Sequence, residues 1–250
     1  MMNLEEVREK LRQSIEECIR LENVLLDIEA TNFRVCIFGS ARIQPNDPIY
    51  RAVFRLARGL GKRGIDVVTG GGPGLMEAAN RGVHAARATH SKSYGLPLDL
   101  PSVVEPPNLH LDIKSSHKRF SHRLDEFMRL SHAVVAAPGG IGTLLELVYV
   151  WQLLQLHVIA QRPVILMGRA FWSGLLDWVR EQQLARGLVD GRDLDLLHLV
   201  DTPAEALEII DAAYLRFLAE RERERAGANG DAPPPDSAGN RSRGERRTPS

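Results

Sequence analysis

Apolar and polar positions follow two different periods along the chain. Between residues 3 and 29, Leu4, Val7, Leu11, Ile15, Cys18 and Ile19, then Leu25 and Ile28, recur at mostly three- and four-residue spacing with charges between them. That spacing predicts an amphipathic helix that packs across the domain or against a second subunit. Further on, short runs apolar on both faces alternate with helical patterns. Strands are expected at 33–38, 65–69, 93–96, 133–137, 163–167 and 196–200. Helices are expected at 49–63, 74–88, 118–130, from the glycines after 138 to about 157, at 171–184 and at 203–221. Residues 97–115 have no clean period and carry Pro97, Pro101, Pro106 and Pro107.

Strands that are apolar on both sides and separated by helices specify a parallel sheet covered on both faces. The expected fold is α/β: a Rossmann-like, doubly wound parallel sheet in a single domain. The boundaries read as an N-terminal amphipathic helix over 1–30, a Rossmann-like domain over 31–221 and a disordered tail over 222–250. The tail is rich in Ala, Gly, Pro, Ser and Arg, a composition that buries too little apolar surface to offset its ordering entropy.

Composition narrows the classes. Hydrophobic residues make up 44% of the 250, enough for a sizeable core, and 32 basic residues balance 32 acidic ones. Zero net charge gives no argument for a nucleic acid or membrane partner. Cys18 and Cys36 form no metal-ligand spacing and no disulfide framework. The first residues, MMNLEEVREK, lack the apolar stretch of a signal peptide, and no apolar run approaches a membrane span. A soluble, cytoplasmic protein is the expectation.

Parallel sheets bind ligands at the carboxyl ends of their strands. Three glycine-containing turns follow strands here and should converge on one crevice: Gly39-Ser40-Ala41-Arg42, the run from Gly70 to Gly74, and the run from Gly139 to Gly142. The sharpest segment is Pro138-Gly-Gly-Ile-Gly-Thr-Leu-Leu-Glu146. Its glycines remove Cβ atoms where backbone must approach a ligand, and they leave free amides at a helix start, where phosphate binds. Thr143 adds a hydroxyl and Glu146 follows about one turn later. The run Gly70-Gly-Gly-Pro-Gly-Leu-Met-Glu-Ala-Ala-Asn80 is a second glycine turn entering a helix. It is neither a P-loop nor a dinucleotide fingerprint, and Glu77 in it also reads as an ordinary helix-start acid. Arg123, in Ser121-His122-Arg123-Leu124, reads by itself as a solvated charge, as do Lys118 and Arg119. The spacing of His110, His117 and His122 matches no metal motif.

The motifs GGGPGLMEAAN at 70–80 and PGGIGTLLE at 138–146 resemble those of the LONELY GUY (LOG) family. Its members are phosphoribohydrolases that act on cytokinin nucleotides and, in bacteria, on AMP and related monophosphates. The family motif PGGxGTxxE is matched without exception, and the resemblance runs over roughly residues 33–215, including Phe38-Gly-Ser-Ala-Arg42. It implies a catalytic pair of Glu146 and, at the family's spacing, Arg123. It implies a 5′-phosphate held by Gly139, Gly140, Gly142 and Thr143, a crevice lined by Gly71 and Gly72 and closed by Ser40, and substrate contacts at Glu77 and Glu105. The implied reaction cleaves a nucleoside 5′-monophosphate to free base and ribose 5-phosphate, with no cofactor and no metal. Family members have carried the label lysine decarboxylase, but no lysine here stands in a recognisable Schiff-base setting. Two positions depart from the family: Leu124 where a lysine is usual, for which Lys118 or Arg119 could compensate, and Gln152 where many members have threonine. The alternative expectation is a carrier that binds a nucleotide or a molybdenum-cofactor-type group without cleaving it. Related enzymes are dimers or larger, so a homodimer or higher homo-oligomer is expected.

Overall fold

The structure, a computed structural model, describes residues 3–29, 32–87, 90–100 and 106–229. Seven parallel strands form one sheet: β1 (Arg34–Phe38), β2 (Asp66–Thr69), β3 (Ser93–Gly95), β4 (Ile113–Lys114), β5 (Ala133–Ala136), β6 (Val164–Met167) and β7 (Leu197–Val200). Their order across the sheet is β4-β3-β2-β1-β5-β6-β7. The helices are α1 (Leu4–Glu29), α2 (Pro48–Lys62), α3 (Leu75–Ala85), α4 (Phe120–Leu130), α5 (Ile141–Gln155), α6 (Arg169–Trp178), α7 (Gly191–Leu194) and α8 (Pro203–Asn229). The expected α/β doubly wound sheet is therefore present.

β1, β2, β5 and β6 are buried at every position. Their β-branched and small apolar residues cannot show a period of two, because both faces are covered. β1 lies between β2 and β5, with Cys36 opposite Val68 on one side and Val134 on the other. The chain leaves β1 for one half of the sheet and returns at β5 for the other. Between those two strands the sense of winding reverses, which opens a crevice at their carboxyl ends. Phe38, Phe127, Val134, Leu147, Val150 and Leu166 are core residues that fix α4 and α5 against this part of the sheet.

Four sequence expectations are corrected. β4 lies within the segment that showed no period; two exposed residues are too few to display one. The helix expected at 171–184 begins at Arg169, and its last turns loosen into a π-helical turn at Val179–Gln183 and a 3₁₀ turn at Leu184–Arg186. The short helix α7 was not expected. The last helix does not stop at Arg221 but runs to Asn229, so the first eight residues of the segment read as tail are helical. Glu222, Arg223, Glu224 and Arg225 are good helix formers that extend a helix already nucleated. The rest of the expected tail, 230–250, lies outside the described residues.

Two compact units are distinguished, Met1–Tyr214 and Leu215–Ser250. The second is helical over its described part, with the Arg221 guanidinium 5.8 Å from the Phe217 ring centre. In the first, α1 carries Glu–Arg pairs at i,i+3, such as Glu9–Arg12 at 2.8 Å. Its apolar residues Leu4, Leu11, Ile15 and Ile19 remain 51–66% exposed. Among the described residues no helix is long and apolar enough to cross a membrane.

Candidate active site

The three glycine turns meet, and backbone hydrogen bonds join them. The amide of Ser40, after β1, donates to the carbonyl of Pro138, after β5, at 3.1 Å, and the carbonyl of Ser40 accepts from the amide of Leu75, which opens α3, at 2.9 Å. Gly74 makes the second contact possible. Its φ is +69°, and a Cβ there would fall 2.4 Å from the Ser40 carbonyl oxygen, so only glycine lets the two turns approach.

The resulting cleft has a volume of about 460 Å³. One wall is the turn after β1, with Ser40 and Arg42; the other is the start of α5, with Gly140, Gly142 and Thr143; Met76, Arg123 and Glu146 complete it. Gly140 caps α5 without a side chain to satisfy the first-turn amides, the arrangement that leaves donors for an anion. Gly139 sits beneath that turn. A Cβ there would lie 2.2 Å from Thr143 Oγ1, so the glycine is what allows Thr143 to fold back over the strand end.

Arg123 and Glu146 face each other across α4 and α5. Arg123 Nη2 donates to Glu146 Oε1 at 2.8 Å, and the residues are only 9% and 7% exposed. The guanidinium is stacked near Phe120 and Phe127, 5.1 and 5.4 Å from their ring centres. The face that looked like a solvated helix surface is thus a buried ion pair at the mouth of the sheet. Among the described residues, Arg123 Nε is buried and has no hydrogen-bond partner, an uncommon arrangement in a folded core. Cys36 lies below the pair in β1; burial, and then the Glu146 charge, push its thiol well above the usual range.

Two further ties hold α4 in place. Tyr149 Oη on α5 donates to the Asp125 carboxylate on α4, which pushes the phenol up to about 12. Arg162 Nη1 donates to the Met128 carbonyl at 2.7 Å and to that of Ser131, satisfying acceptors at the end of α4. Burial lowers the Arg162 guanidinium to about 10.

The remaining expected residues fall elsewhere. Among the described residues lining the cleft, Gly71, Gly72 and Glu77 are not found. The carbonyls of Gly71 and Gly72 accept from Asn108 Nδ2 at 3.1 and 2.9 Å. Asn108 also donates to Asn80 Oδ1, which accepts from Thr69 Oγ1 at 2.8 Å, while Asn80 Nδ2 donates to Ser93 Oγ at 2.7 Å. The glycine run 70–74 is therefore held by a buried polar network tied to β3. Glu77 is half-buried in the first turn of α3. Glu105 lies outside the described residues. Sequence reasoning missed Asn80 and Asn108 as a pair, and it missed Met76 and Arg42 as cleft residues, although Arg42 stands in a turn it had placed there.

Residues 76–210 match the family described as possible lysine decarboxylase. The chain is 35% identical over 125 residues to the pyrimidine/purine nucleotide 5′-monophosphate nucleosidase of Escherichia coli K12, covering 48% of this chain but 27% of that protein. It therefore spans about a quarter of that relative's length. It is 29% identical over 203 residues to the probable cytokinin riboside 5′-monophosphate phosphoribohydrolase LOGL3 of Oryza sativa subsp. japonica, covering 78% of this chain and 90% of the relative. The molybdenum cofactor binding protein of the phototrophic bacterium Rippkaea orientalis shares the fold, with a TM-score of 0.55 and 20% identity over 72% of this chain and 96% of that one.

Proposed function

The chain belongs to the family described as possible lysine decarboxylase, the LOG family of the motif resemblance, and on that premise we propose that it hydrolyses the N-glycosidic bond of a nucleoside 5′-monophosphate. The observation that carries the reading is the buried Arg123–Glu146 pair lining a cleft beside the uncapped start of α5. The start of α5, with Gly140, Gly142 and Thr143, receives the 5′-phosphate, and Ser40 closes the opposite wall. C1′ of the ribose then lies toward Glu146. As the bond to the base lengthens, positive charge builds on the ribose ring, and a carboxylate at that position stabilises it. Glu146 also orients a water whose oxygen adds to C1′; one water proton ends on the departing base, leaving free base and ribose 5-phosphate. Arg123 fixes the carboxylate through Nη2 and holds its position at the cleft wall.

A carrier that binds without cleaving has no use for this pair. The experiment that separates the two readings incubates purified protein with AMP, GMP, CMP, UMP and isopentenyl-AMP and follows free base by chromatography. Release of base from at least one is expected; tight binding with no release from any replaces the hydrolase with the carrier.

The reading extends to assembly in the cytoplasm as a homodimer or larger. Besides the stripe on α1, the outer face of α5 next to the cleft exposes Ile141, Leu145, Val148 and, just past its end, Leu156, at 43–82%. Contiguous apolar surface of this kind favours burial against another copy.

A further inference from the structure

The resemblance implies a lysine directly after the arginine of the pair, where a lysine is usual; here the position is Leu124, which is 7% exposed and part of the core. The cleft therefore lacks a charge that the resemblance implies. Neither nearby base replaces it. Arg119 precedes α4 and lines a groove beside Leu11 and Ile15 of α1, away from the cleft, and Lys118 is exposed without lining it. Arg42 does line the cleft, across from Gly140, Gly142 and Thr143. Its backbone is fixed on both sides: the amide donates to Ser40 Oγ at 3.1 Å, and the carbonyl accepts from Gln44 Nε2 at 3.2 Å. Its guanidinium is exposed and makes no ion pair among the described residues, so it is available to an incoming anion. Arg123, which lines the same cleft, also keeps a buried Nε without a hydrogen-bond partner among the described residues.

We propose that Arg42 is the substrate's second phosphate ligand, reaching from the turn after β1 to the phosphate held at the start of α5 and replacing the charge absent at Leu124. A guanidinium offers a planar fork that matches two phosphate oxygens. This rests on the reading of the cleft as a nucleoside monophosphate site, so the test reads binding separately from cleavage. Calorimetric titrations of wild type, Arg42→Ala, Arg42→Lys and Arg119→Ala are run with AMP, ribose 5-phosphate and adenosine. Arg42→Ala should weaken AMP and ribose 5-phosphate about 10- to 100-fold and leave adenosine within about twofold, the loss expected for a charge-assisted contact. Arg42→Lys should recover part of the loss, and Arg119→Ala should match wild type. An unchanged thermal midpoint in Arg42→Ala confirms that the fold is intact. Wild-type affinity of Arg42→Ala for both phosphates overturns the assignment, as does an equal loss for adenosine or wild-type failure to bind either phosphate. Wild type that binds AMP and releases no base from any of the five monophosphates overturns the hydrolase reading alone.

Discussion

Replacing Glu146 with glutamine keeps the side-chain shape and an acceptor oxygen for Arg123 while removing the negative charge. If the carboxylate acts on charge developing at C1′, turnover should fall by about 10²- to 10⁴-fold. At about 1.4 kcal/mol per tenfold, that is roughly 2.7–5.5 kcal/mol of transition-state stabilisation. The fold also loses something, because the 2.8 Å contact is buried and charge-assisted. Exchanging a charged for a neutral hydrogen bond costs about 1–3 kcal/mol, and for a body of this size each kcal/mol moves the melting point by about 2–4 °C. A drop of about 2–12 °C is expected. Turnover is therefore measured at 25 °C, where both proteins are folded, as single-turnover release of base, beside calorimetric titration with the same monophosphate. Affinity should change by less than about tenfold. A Glu146→Gln variant that turns over like wild type would refute the placement of the catalytic carboxylate. A variant whose whole defect lies in affinity would reassign Glu146 to ground-state binding.

Gly139→Ala should cut monophosphate affinity by more than about tenfold, measured by calorimetry, because the new Cβ would meet Thr143 Oγ1 at 2.2 Å and displace the first turn of α5. Asn80→Ala should lower stability by about 2–4 kcal/mol in urea denaturation, since it strands Thr69, Ser93 and Asn108 groups that are tied through it. Tyr149 titrates higher folded than unfolded, so its tie to Asp125 is fully present below about pH 10 and is lost as pH rises toward 12. Tyr149→Phe should accordingly flatten the fall of melting temperature over that window and change its slope little below it. Light scattering at micromolar concentration should give at least a dimer mass, and a monomer mass would contradict the assembly expected from the apolar faces of α1 and α5.

The sequence was most legible where one physical demand acted alone. β1, β2, β5 and β6 stand out because burial on both faces favours apolar runs, broken at Arg34, Asp66 and Thr69, and Gly140 and Gly142 stand out because an uncapped helix start beside a strand end has little other use. Arg123 could be placed only through the family resemblance, since nothing local separates a buried guanidinium from a solvated one; Phe120 and Phe127, which bury it, look like ordinary helix core. The Asn80–Asn108 link joins residues 28 apart, one of them in a proline-rich stretch without period, so no local pattern announces it. Arg42 was legible as a turn residue but not as a cleft wall, because that depends on how closely the turns after β1 and β5 approach.

The position of β1 in the sheet bears on how the chain is made. Its neighbour on one side, β2, follows shortly, but its neighbour on the other, β5, comes much later; Val35 pairs with Ala133. A ribosome-bound chain can build α2, β2, α3 and β3 onto β1 while that other edge stands open, an apolar strand with unpaired amides and carbonyls. A half-made chain ending before β5 is therefore a template for strand addition by other chains. Expression of residues 1–130 alone should yield aggregate, and the full-length protein should draw on chaperones chiefly in the interval before β5 leaves the exit tunnel.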